Sequence, residues 1–73
     1  MLETIKKVKQ LLKKYNLQAN ISRDRNTAIF VNLYNYNTYN RDFLIDIQKQ
    51  LDTIIKTTYK TEYFTYIFLQ KSY

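Results

Sequence analysis

No cysteine, histidine, glycine, proline or tryptophan occurs in the 73 residues of this chain, and methionine occurs once. Each gap removes something. Without cysteine there is no disulfide, and without histidine as well a zinc site lacks its preferred ligands. Nucleophilic catalysis is left with Ser22, Ser72 or a threonine, and no base stands in a recognisable arrangement beside them. Loops that cradle phosphate need glycine, because only a residue without Cβ lets the backbone close on the anion. An enzyme is therefore not expected, and neither is a cofactor or a metal.

The same gaps constrain the backbone. Every tight turn at positive φ must fall to asparagine or aspartate, the next most tolerant residues. Asn16 and Asn26 stand where such turns are needed. Acidic residues are scarce too: six Asp and Glu face twelve Lys and Arg, for a net charge of +6. Long apolar runs are missing. The longest, "AIFV" and "YIFL", are far too short to cross a bilayer, and lysines interrupt the apolar residues of "MLETIKKVKQLLKK" as they do not in a signal peptide. A soluble cytoplasmic protein without membrane contact is expected.

What is present is Lys, Asn, Ile and Tyr, with only two alanines, Ala19 and Ala28. That bias follows AT-rich codons and suggests a phage or other mobile element. Residues 1–73 read as a single domain. A chain of this length buries only about 60% of its unfolded surface. With disulfides excluded and zinc without its usual ligands, association is the remaining supplement, so a homodimer is expected.

Periodicity gives the elements. Leu2, Ile5, Val8, Leu11, Leu12 and Tyr15 share one half of a helical wheel. Lys6, Lys9 and Lys13 run along the other half, flanked by Lys7 and Lys14, and Asn16 is the natural left-handed stop. "LQANISR" and "TAIFVNLYNY" then alternate with period two. A three-residue turn at Asp24-Arg25-Asn26 opposes Ile21 to Ile29, Ala19 to Val31 and Leu17 to Leu33, whereas a two-residue turn scrambles the faces. Asn40 caps a second helix whose stripe is Phe43, Leu44, Ile47, Leu51, Ile54 and Ile55, with Asp52 and Lys56 as an i,i+4 pair. "YFTYIFLQ" is the last strand, apolar on both faces and so suited to a central place or an interface.

The order α-β-β-α-β is that of a ferredoxin-like chain lacking its first strand. It predicts an α+β two-layer sandwich: a three-stranded mixed sheet with both helices on one face, and the second and third strands parallel through a right-handed crossover.

Three constellations are candidates for function. The first is aromatic. Phe30, Tyr34 and Tyr36 alternate away from the Ile29, Val31 and Leu33 row, which puts them on the uncovered sheet face, where one face of the last strand, either Phe64, Tyr66 and Phe68 or Tyr63, Thr65 and Ile67, joins them. A contiguous apolar patch of that kind marks an interface, so Phe30, Tyr34, Tyr36 and Tyr66 are expected to contact a protein partner, for example a host protein or nuclease that the chain inhibits. The second is the stripe Lys6, Lys7, Lys9, Lys13 and Lys14, which suits phosphate and makes DNA or RNA the alternative partner. Base stacking on the rings is disfavoured, because the wheel places the lysines on the far side of the domain, whereas single-strand binders hold rings and cations in one groove. The third is Asp42 and Asp46, one helical turn apart. They read as helix-start acids near Lys49 and not as a cation site.

Overall fold

The computed structural model describes residues 2–24, 27–62 and 64–72. Its elements are α1 (Glu3–Lys14), β1 (Ala19–Asp24), β2 (Ala28–Leu33), a 3-10 turn (Tyr36–Thr38), α2 (Arg41–Glu62) and β3 (Tyr66–Lys71). They build the expected α+β arrangement, a three-stranded mixed sheet in the order β1-β2-β3. β1 pairs antiparallel with β2, and β2 pairs parallel with β3. In a split βαβ unit another strand lies between the parallel pair. Here β2 and β3 are direct neighbours, so the sheet has closed over that position.

Apolar alternation on β2 explains the two layers. Ile29, Val31 and Leu33 are fully buried and meet Val8, Leu11 and Leu12 of α1 and Leu44, Ile47 and Leu51 of α2 in one cluster. Ile67 of β3 completes it. Both helices therefore cover one sheet face and leave the other open.

Asparagine supplies the turns that glycine would usually make. Asn16 ends α1 at φ 54°, and Asn35 takes φ 58° after β2. Asn40 caps α2 as its sequence position requires: its Oδ1 accepts the Asp42 N–H at 2.8 Å. Asn26, which was expected beside Asn16 as a turn residue, lies outside the described residues together with Arg25.

The hairpin register differs from the sequence expectation by two residues. Ile21 faces Val31 and Ala19 faces Leu33, with Asp24 paired to Ala28. β1 runs one residue further, to Asp24, and β2 starts one residue later, at Ala28, because Thr27 leaves the ladder. Its N–H and its hydroxyl both donate to the Asp24 carbonyl, at 2.9 and 3.0 Å. A shift of two keeps every side chain on its own face, so the core row survives.

Two placements on the last strand are corrected. β3 is an edge strand, which removes the central place and leaves the interface as the alternative, and it starts at Tyr66, with Phe64 ahead of it buried in the core. Gln48 on α2 closes that edge. Its Nε2 donates to the Ile67 carbonyl at 2.7 Å and its Oε1 accepts the Leu69 N–H at 2.8 Å, as a neighbouring strand's peptide would. Edges left open invite pairing with other chains; this one is occupied by its own helix. Gln48 also donates to Asp52, and Gln50 to Asp46. These carboxylates thus take glutamine donors where the sequence suggested lysine.

The helices are joined at one end by a polar contact that no periodicity announces. Thr4 and Thr58 are buried facing each other, and the Thr4 hydroxyl donates to Thr58 Oγ1 at 2.7 Å while Thr58 donates to the Ile54 carbonyl at 2.9 Å. Beside them the Glu62 carboxylate accepts the N–H groups of Glu3 and Thr4, the latter at 2.7 Å. The end of α2 thus caps the start of α1, whose own N-cap residue, Leu2, has no side chain able to do so.

Candidate functional site

The open face carries a stack of rings. Phe30 and Phe68 are paired across β2 and β3, with centroids 5.7 Å apart and planes 22° from parallel. Phe68 in turn stacks on Tyr66 at 5.6 Å and 16°. Tyr66 is 60% exposed and Phe68 44%. Period-two spacing alone produces this row, because Tyr66 and Phe68 point away from the Ile67 side that packs in the core. Phe68 is thus the centre of the patch; of the expected set Phe64, Tyr66 and Phe68, only Tyr66 was counted as an anchor, and Phe64 lies in the core.

A polar ladder bounds the rings. Asn32 Nδ2 donates to Ser22 Oγ at 3.1 Å, and Gln70 Nε2 donates to Asn32 Oδ1 at 2.7 Å, a row that crosses all three strands. These neutral side chains satisfy one another, so the patch ends abruptly and without charge.

Tyr36 does not belong to this face. β2 ends at Leu33, and Asn35 in the left-handed region turns the chain so that Tyr36 opens the 3-10 turn, half-buried against the core. There it lines a groove of about 500 Å³ with Tyr39, Leu44, Gln48 and Leu69. Tyr34 lies past the polar ladder and is exposed. Its N–H donates to the Gln18 carbonyl at 3.0 Å, extending the hairpin by one pair. Of the four expected anchors, the structure brings together Phe30 and Tyr66 and separates Tyr34 and Tyr36 from them.

The lysine stripe is also redistributed. Lys6, Lys9, Lys13 and Lys14 are exposed and Lys7 is half-buried. The Lys14 ammonium sits 5.5 Å over the Tyr15 ring, which meets Phe43 edge to face at 5.9 Å. Lys9 and Lys13 face the other way. With Tyr34 they line a groove of about 670 Å³ between α1 and β1. The expected segregation of rings and cations therefore holds for Phe30, Phe68 and Tyr66, and fails for Tyr34.

No protein-family model, curated protein or solved structure matches the chain. What the site can do has to be read from its own surfaces. Among the described residues, no three acidic side chains gather as metal ligands, and no helix is long and apolar enough to cross a membrane. Asp42, one of the acids on α2, sits in the first turn, where the helix dipole favours a negative charge.

Proposed function

We propose that the protein is a non-enzymatic binding module that acts through the open sheet face, with Phe68, Phe30 and Tyr66 as its anchors. The stacked, exposed row on that face carries this reading. Rings already ordered by stacking lose little freedom on contact, and large aromatic anchors dominate interface energetics. The neutral ladder beside them places no like charge opposite itself in a symmetric pair, so a second copy is an admissible partner, as is a host protein whose surface the module would block.

Phe68→Glu tests the face. The variant is expected to lose about thirtyfold in affinity, the loss of a central anchor worth about 2 kcal/mol. For self-association the readout is light-scattering mass, which falls from twice the 9.0 kDa protomer to the protomer itself. For a partner it is recovery on immobilised protein. Identical mass and identical recovery for both proteins would remove the basis of this function.

A second reading rests on Lys9 and Lys13 sharing a groove with Tyr34, the pairing of cation and ring that single-strand binders use. It makes a nucleic acid the partner. Replacing Lys6, Lys9 and Lys13 with glutamine should then flatten the salt dependence of binding to single-stranded DNA by roughly 2 in log–log slope, about 0.7 per lost phosphate contact. Undetectable binding by the unaltered protein at low salt ends this alternative.

A further inference from the structure

The two edges of the sheet are not alike. On β3 the outward carbonyl of Ile67 and N–H of Leu69 are taken by Gln48. On β1 the hydrogen bond from Tyr34 to the Gln18 carbonyl fixes which residues face β2. Bonded and non-bonded pairs alternate in an antiparallel ladder, so Gln18, Asn20 and Ser22 turn their peptide groups inward, while Ala19, Ile21 and Arg23 turn theirs outward. No described residue hydrogen-bonds to those outward groups. The edge is a row of free donors and acceptors.

The helix side of that edge is hollow. The side chains of Ala19 and Ile21 share the face of their partners Leu33 and Val31 yet are only half-buried. The groove beside them is floored by Ile5, Leu12 and Leu17 and bordered by Lys9 and Lys13. We infer that this edge is a second docking site, which accepts an extended acidic segment of a partner protein as a fourth strand. Main-chain pairing supplies affinity in such additions, and alternate side chains supply specificity. The spacing agrees: one turn from Lys9 to Lys13 rises about 6 Å, and two residues of a strand advance about 6.6 Å. Successive inward side chains therefore advance by about the rise between the two lysine positions.

Charge decides the occupant. Two copies joined edge to edge through β1 would crowd both pairs of lysines along one seam, in a protein already at +6. A single nucleic-acid strand would find one ring, Tyr34, where its binders stack successive bases. A strand with aspartate or glutamate at alternate positions meets both the cations and the open peptide edge.

The probe is a short synthetic peptide with glutamate at every second position and threonine between. A twin with lysine for glutamate is the control. With the 15N-labelled full chain, the acidic peptide should shift the amides of Ala19, Ile21 and Arg23, and the lysine twin should not. Ile21→Pro removes an outward N–H that β2 does not use, a change tolerated on edges, and should weaken the acidic peptide about tenfold. Should that variant fold poorly, the exposed double change Lys9→Glu and Lys13→Glu carries the test, because it should reverse the preference toward the lysine twin. Equal binding of the two peptides overturns the proposal. So does unmoved β1 signals, a free protein that dimerises through β1, or oligothymidylate binding in the groove that neither peptide can match.

Discussion

Phe64→Ala is expected to abolish the cooperative thermal transition or lower its midpoint by more than about 12 °C. Phe64 is 1% exposed and belongs to no strand or helix. It sits between the end of α2 and the start of β3, packed with Val8, Ile29, Leu51 and Ile67 in the single core. Truncating a buried phenylalanine costs about 3–5 kcal/mol through lost transfer energy and the cavity left behind. A chain of this size has a margin of about the same amount, and each kcal/mol moves the midpoint by about 4–8 °C. Circular dichroism melts provide the measurement. Phe64→Leu, which keeps an apolar group of similar bulk, should melt much closer to the unaltered protein. A melt of Phe64→Ala within a few degrees of the parent would show that the core does not depend on this ring.

The second large effect is expected at Glu62. Its carboxylate holds two N–H groups of the first turn of α1 across the whole length of the sequence. Glu62→Ala leaves those donors without their acceptor and should cost about 2 kcal/mol, the range for charge-assisted bonds and caps discounted for partial exposure. Acid should expose the same dependence. Burial opposes ionisation of Glu62, but the N–H groups of Thr4 and Glu3 outweigh it and hold its pKa below the ordinary value of 4.5. A carboxylate depressed by folding stabilises fully above its unfolded pKa and loses that contribution as pH falls through the folded value. The stability gap between the parent and Glu62→Gln should therefore be constant near neutral pH and narrow progressively below pH 4.5. Denaturant melts at several pH values measure it. A gap independent of pH would mean that the charge contributes nothing.

Most of the fold was legible because period and position agree. The lysine and leucine halves of α1, the Asn16 stop, the Asn40 cap and the Ile29-Val31-Leu33 row each rest on a local pattern, and each is found. The misplacement of Tyr36 has its cause in the missing glycine. In "YNYNTY" asparagine satisfies a two-residue alternation and also tolerates the left-handed region, so the pattern ran on as a strand where Asn35 in fact turns the chain. Tyr36 was lost from the open face for that reason alone. Other features were not legible in principle. Gln48 acting as a strand's neighbour, Glu62 capping a distant helix and Thr4 meeting Thr58 are contacts between elements, made by polar residues that periodicity assigns to solvent. The position of Lys9 and Lys13 beside Tyr34 depends on how far α1 lies over β1, which no helical wheel encodes.

The glutamine that seals β3 has a consequence for assembly. A sheet open at both margins can keep recruiting strands indefinitely and grow into fibres. This one can lengthen only from the β1 side, so a pairing event there terminates growth. Losing that one amide would free the Ile67 carbonyl and the Leu69 N–H, giving the sheet a second margin at which a strand can pair.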